Sequence, residues 1–269
     1  MKGGKMPFIV YSELNTTSSM IGRAILGAED FEEVGKISGF RHFRWGKVEL
    51  LAVDRNILET DFLDQIIKTD LIIFPCSHKS AKEVASFTAH AEGNWTGEAK
   101  LGGQPRQLSF SSPQMMHKVL SILSKNNSTS LPVIYEATHH GPLLKTPSMF
   151  VEVGGSREAL ESVEYCTFVA KSIIDALSSG PETGTTPVLG IGGMHYADKF
   201  TRMALEKGYA FSHIMPKYYV NETDMISQAV ERSSERPEKA VIEWKSIKSD
   251  ERQRVIANLE DLGIGYERA

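Results

Sequence analysis

The sequence predicts an α/β fold, with a mainly parallel or mixed central sheet flanked by helices. Three observations carry that expectation. Short apolar runs alternate with segments of helical periodicity along most of the chain. Several of the runs, residues 71–74 among them, are apolar throughout, as parallel strands covered on both faces are. The length, 269 residues, suits one large α/β domain spanning 1–269.

Taken in order, residues 8–11 form a first strand, and Ser18 or Ser19 caps a helix running towards Gly27. Residues 48–53 form the next strand. Residues 58–68 read as a helix, with Leu58, Phe62, Ile66 and Ile67 on its apolar face. The strand at 71–74 is expected to stop at Pro75, which lacks an amide hydrogen. A helix at 113–124 and strands at 131–135 and 150–153 follow. Residues 158–177 give the clearest helical pattern, with Leu160, Val163, Thr167, Ala170, Ile173 or Ile174, and Leu177 in register, and Gly180-Pro181 ends it. Cys166 lies inside this pattern and reads as a core residue. The remainder alternates: strand 187–191, helix 199–208, strand 210–215, helix 222–233, strand 241–244, helix 250–262. Residues 86–112 and 180–186 show no element. The first of these is a long polar insertion, read either as a binding loop or as a surface excursion.

Composition excludes several classes. A hydrophobic fraction of 41% and a charged fraction of 24% belong to an ordinary globular protein, not to a disordered chain, a coiled coil or a collagen-like fibre. A net charge of −4 excludes a surface coated in positive charge for binding nucleic acid at large. The charge is uneven, however: residues 1–150 carry a net +1, and residues 99–135 contain no acid. Residues 36–47, KISGFRHFRWGK, are basic with interleaved rings. That pattern suits base stacking, but the favoured reading is a strand with rings inside and charges in water. Cys76 and Cys166 are too few and too far apart for a disulfide framework, which points to a reducing compartment. With no secretory leader and no membrane-length apolar stretch, a cytoplasmic location is expected.

Four clusters follow expected strands: Pro75-Cys76-Ser77-His78-Lys79-Ser80, Thr88-Ala89-His90-Ala91-Glu92-Gly93-Asn94-Trp95, Glu136-Ala137-Thr138-His139-His140-Gly141-Pro142, and Gly190-Ile191-Gly192-Gly193-Met194-His195-Tyr196. Ligands in open α/β sheets bind beyond the carboxyl ends of strands, so the clusters are candidates for one shared site. Five of the eight histidines fall in them. Histidine beside a carboxylate suits a metal or acid–base chemistry. No H-E-x-x-H, cysteine pair, P-loop, G-x-S-x-G or complete G-x-G-x-x-G is present. His139 and His140 would face opposite sides of a regular strand and share a site only if the chain turns there, as Gly141-Pro142 allows. Covalent catalysis from Cys76, Ser77 or Ser80 ranks below water attack, because only His78 stands nearby as a base.

SHKS (77–80), the AHAEGN core, EATHHGP (136–142) and GIGGMHYADKFT (190–201) together resemble the archaeal and plant type of D-aminoacyl-tRNA deacylase, across nearly the whole chain. The resemblance implies hydrolysis of the ester joining a D-amino acid to the terminal ribose of tRNA, zinc dependence, and a fold similar to peptidyl-tRNA hydrolases and phosphorylases. The ligands implied are a subset of His78, His90, His139, His140, His195 and Glu136, with Glu136, Thr138 and His140 in catalysis. Ser77, Lys79, Ser80, Lys82, Asn94, Lys100, Arg106, Gly192, Gly193 and Tyr196 are the expected contacts to substrate and tRNA. The Gly192 and Gly193 amides and Thr138 would hold a carbonyl oxygen or phosphate. A monomer with no stable protein partner and no membrane association is expected. The alternatives are a phosphorylase-like or peptidyl-tRNA hydrolase-like enzyme and a non-catalytic RNA-binding protein.

Overall fold

The computed structural model describes residues 6–79, 83–180 and 182–269. The chain begins with β1 (Phe8–Ser12), α1 (Thr16–Ala28), β2 (Glu32–Ile37), β3 (Phe40–Trp45) and β4 (Val48–Val53). A short helix, α2 (Leu63–Ile66), leads to β5 (Ile72–His78), β6 (Ser86–His90), β7 (Gly93–Asn94) and β8 (Gln107–Leu108). There follow α3 (Pro113–Asn126), β9 (Val133–Tyr135), β10 (Ser148–Gly154), α4 (Arg157–Leu160) and α5 (Val163–Ser178). The last part contains β11 (Thr186–Ile191), α6 (Asp198–Lys207), β12 (Tyr209–Met215), α7 (Met225–Glu231), β13 (Lys239–Ile242), α8 (Ser249–Asp261) and β14 (Gly265–Arg268).

This is an α/β fold with a mixed main sheet. Eight strands run in the order β2-β3-β4-β1-β5-β10-β6-β9, and a second sheet has the order β12-β11-β13-β14. Parallel pairing joins β4, β1, β5 and β10 at the centre, while β6 runs antiparallel to β10. The second sheet is parallel throughout. Successive residues of β1 serve opposite faces. Ile9 and Tyr11 join Ile21 and Ile25 of α1 and Ile173 of α5, whereas Phe8 and Val10 join Ile57, Leu63 and Ile67. Both faces are covered, which is why the strand is apolar along its length. α1 lies so close to β1 that a Cβ on Gly22 would come 2.3 Å from the Tyr11 ring. Leu189, Ile191, Ala240 and Ile242 of the second sheet pack with Val255 and Leu259 of α8.

Several expectations are corrected. Asn15, not Ser18 or Ser19, caps α1, its side chain accepting from Ser18 N. Ser18 lies inside the helix, where its hydroxyl donates to Pro75 O and accepts from Ser12 N. β5 does not stop at Pro75. Its pairing with β1 ends at Ile73, but pairing with β10 continues to His78. The expected helix at 58–68 is a 3₁₀ turn at Ile57–Glu59 followed by α2. Asp61 and Asp64 accept from the backbone N–H groups of Leu143, Lys145 and Thr146, binding this stretch to another segment instead of continuing one helix. The expected helix at 158–177 divides at Ser162, which caps α5 by accepting from Tyr165 N. Residues 86–112, read without an element, begin with β6, which lies inside the main sheet. β2 and β14 are additional strands. β3 bears out the favoured reading of the basic segment: Phe43 is buried, Arg41 pairs with Glu33, and Arg44 and His42 pair with Glu49.

Candidate active site

The candidate site is assembled at strand ends. His78 is the last residue of β5, which passes Pro75 and so delivers it there. His90 is the last residue of β6, and Glu136 directly follows β9. β10 lies between β5 and β6, and its Glu152 is in register with Cys76 on one side and Thr88 on the other. His195 comes from the turn after β11 in the second sheet. The two sheets are joined at this point, Ala137 N donating to His195 O and Thr138 N to Ile214 O.

The chain does turn at the histidine pair. His140 has φ +45°, a left-handed conformation, and the rings of His139 and His140 stand 4.2 Å apart between centroids. The His139 ring is also 4.2 Å from that of His90. One oxygen collects three imidazoles: Glu136 Oε2 lies 3.0 Å from His78 Nδ1, 3.0 Å from His195 Nε2 and 3.6 Å from His139 Nε2. Glu152 Oε2 lies 3.2 Å from His90 Nε2 and 3.8 Å from His78 Nδ1. Short as the Glu136 contacts are, neither of its carboxylate oxygens has an aligned hydrogen bond among the described residues, nor does His78 Nε2, and all three atoms are buried.

Backbone carbonyls fix the tautomers of three rings. Nδ1 of His90 donates to Ala91 O, that of His139 to Ala137 O, and that of His140 to Gly141 O; His139 and His140 keep the lone pair on Nε2, whereas Nε2 of His90 faces the Glu152 carboxylate. Among the described residues, three groups could hold a metal: His78, Glu136, His139 and His195; His90, His139 and His140; and His90, Glu136 and Glu152.

Charge is divided between the members. Burial opposes ionisation of Glu136, yet His195 and His78 beside it, with His139 and His90 farther off, hold the carboxyl well below its usual range. Burial, with neighbouring His90, keeps His139 neutral and lowers His140 to about 3. Burial also opposes a charge on His90, but Glu152 and Glu136 raise it to about 9. Burial raises the Cys76 thiol far above its ordinary value, with Glu152 adding to the effect, so it stays protonated and is no thiolate nucleophile.

These groups open onto a cleft of about 450 Å³ whose lining includes His78, His139, His140, Glu152, His195 and Cys76. A buried carboxylate, neutral imidazoles with free lone pairs and an adjoining cleft suit metal-assisted or acid–base hydrolysis. The sequence model of a family described as D-aminoacyl-tRNA deacylase matches residues 66–267. The chain belongs to this family.

Curated relatives agree. A D-aminoacyl-tRNA deacylase of Thermococcus onnurineus is 32% identical over 98% of this chain and 100% of its own length. One from Pyrococcus furiosus is 32% identical over 97% of this chain and 99% of its own, and one from Ignicoccus hospitalis is 39% identical over 72% and 79%. A crystal structure titled as a conserved protein of unknown function superposes with a TM-score of 0.90 at 28% identity, covering 98% of this chain and 95% of that one. The family consists of hydrolases of the aminoacyl-tRNA ester bond.

The family's candidate positions separate into two sets in this chain. Ser77 and Lys79 line the cleft, Ser77 accepting from Asn15 Nδ2. Tyr196 packs its ring against His78 and His195, and its buried hydroxyl has no partner among the described residues. Ser80 and Lys82 lie outside the described residues. The others are already engaged. Thr138 Oγ1 contacts His213 Nδ1 and accepts from Ile214 N, tying the turn to β12. Gly192 N donates to Met215 O and Gly193 N to Ser246 Oγ, so neither amide is free to hold an oxyanion or phosphate. Arg106 is clamped by Glu222 and Asp224, which leaves no unpaired guanidinium for a phosphate. Lys100 pairs with Glu98 at 3.0 Å but stays exposed. Asn94 Nδ2 donates to Gly102 O, closing its own loop.

The sequence reading missed Glu152. Its signal was present: a carboxylate in the run Phe150-Val151-Glu152-Val153, where all neighbours are apolar. A buried charge is costly unless paired, so a lone acid in such a run marks a partner.

Proposed function

We propose that the protein hydrolyses the ester joining a D-amino acid to the terminal ribose of tRNA, releasing free tRNA, with zinc as the bound metal. The observation that carries this reading is the convergence of His78, His139 and His195 on Glu136 at the base of the cleft, in a chain of the deacylase family. The residues suit zinc: nitrogen lone pairs are fixed by backbone carbonyls, and the Glu136 oxygens and His78 Nε2 are buried with no aligned hydrogen bond among the described residues. His78, Glu136, His139 and His195 would hold the ion.

Ester hydrolysis needs an attacking water, an acceptor for its proton and a charge to meet the oxyanion. When bound, zinc supplies a water that ionises near neutral pH and a positive charge for the carbonyl oxygen. The chain's own residues do the rest. Glu136 stays anionic, so it can bind a cation or accept a proton at a carboxylate oxygen. Glu152 accepts from His90 Nε2, which orients that ring and keeps it protonated. The enantiomers present the same groups, so selection for D rests on a wall that clashes with the L side chain.

The test is incubation with matched D- and L-tyrosyl-tRNA, with and without a zinc chelator. Hydrolysis of the D ester alone, lost on chelation and restored by zinc, is the expected result. Equal rates on both enantiomers defeat the deacylase assignment, and full activity in metal-free protein defeats zinc.

A further inference from the structure

The His139–His140 turn is a wall with a cleft on each side. The larger cleft, about 450 Å³, holds His78 and His195; the smaller, about 240 Å³, is lined by Trp95, Thr96, Glu98, Lys100 and Tyr219. His139, His140 and Leu101 line both. The larger cleft does not end at the site. Through Asn15, Ser77 and Lys79 it joins another hollow of about 450 Å³, lined also by Thr16, Arg157 and Glu161.

Resting on the deacylase reading, we propose that the ester straddles this turn, with the terminal nucleotides of tRNA in the larger cleft and the D-aminoacyl group in the smaller. The two parts of an aminoacyl ester meet at the reacting bond, so they lie on either side of the residues that act on it. A polynucleotide must continue away from the site and needs an open path. An amino acid is a single residue and needs only a pocket. The larger cleft runs on into that further hollow, and its lining carries the ammonium of Lys79 for phosphate and the hydrogen-bonded Asn15–Ser77 pair for ribose. The smaller has the half-buried ring of Tyr219 for a side chain and, at its exposed rim, the Glu98 carboxylate, shared with Lys100, for the α-ammonium.

The test has two arms, both on the zinc-loaded protein. In the first, the trinucleotide CCA is titrated without any amino acid. Leu58→Trp, which fills the larger cleft, and Lys79→Glu should weaken binding about tenfold or more, with Lys79→Arg restoring it, while Thr96→Trp and Tyr219→Ala stay within about twofold. In the second, kcat/KM is compared for D-alanyl- and D-tyrosyl-tRNA. Thr96→Trp should shift the ratio towards D-alanine by about tenfold, and Leu58→Trp should leave it unchanged. Weakened CCA binding in the smaller-cleft variants, or a changed side-chain preference in Leu58→Trp, overturns the placement. If wild type hydrolyses no D-aminoacyl-tRNA while the CCA pattern holds, the deacylase reading fails and the nucleotide placement stands. Thermal melts confirm that each variant is folded.

Discussion

Glu136 is buried, yet the imidazoles of His195 and His78 keep it ionised, and its oxygens are left without an aligned hydrogen bond among the described residues. Its charge, more than its bulk, is therefore what the site needs. Glu136→Gln preserves volume and should lower kcat by about 10²–10⁴-fold. It should also reduce bound zinc, measured by metal analysis, with little change in circular dichroism. Unchanged kcat and metal content would remove Glu136 from the chemistry. At this scale the sequence was informative where residue type and position agreed: five histidines and Glu136 stand at or just beyond strand ends, and all six converge. It was uninformative where hydrogen-bonding capacity mattered. Gly192, Gly193, Thr138 and Arg106 have suitable groups, but those groups are taken by partners far away in sequence, such as Ser246 and Glu222. Glu152 escaped because the apolar run that revealed the strand also concealed the acid within it.

Apolar periodicity located most of the strands and helices, because burial on one or both faces leaves a pattern that can be read locally. β2 left no such pattern: it is exposed along most of its length, at the edge of the main sheet. The 58–68 segment shows the opposite failure. Its apolar spacing fits a helix, but Asp61 and Asp64 serve the backbone of residues 143–146. At α1 the serines carry a common capping signal, but Ser18 is committed to Pro75. Asn15 caps the helix and also donates to Ser77 on the cleft wall. Asn15→Ala should cost about 1 kcal/mol in urea unfolding. Asn15→Asp keeps a capping oxygen without the amide donor, and should recover the stability. Failure of Asp to recover it would show that the cap is not the source.

At the scale of the molecule, the second sheet is fastened at its edge by charge. Glu267 on β14 bonds Lys239 of β13, Tyr209 of β12 and Lys207 of α6. Lys239, Tyr209 and Lys207 lower its carboxyl to about 2. The folded value lies below the unfolded one, so the contribution is complete above the ordinary carboxylate range and fades as pH falls towards about 2. The gap in urea midpoint between wild type and Glu267→Gln should be widest near pH 7 and narrow by about pH 3; a constant gap would contradict the linkage. The division into two sheets was not legible, since pairing partners leave no mark in a single strand's pattern. It has a consequence for the site. His78, His90, Glu136, His139, His140 and Glu152 all precede residue 180, whereas His195 follows residue 185. A chain cut between Thr183 and Gly184 thus distributes the site between two polypeptides. Co-expressed, they should reassociate and regain deacylase activity, while either piece alone stays silent, so the restoration of turnover on mixing becomes an assay for the docking of one sheet on the other.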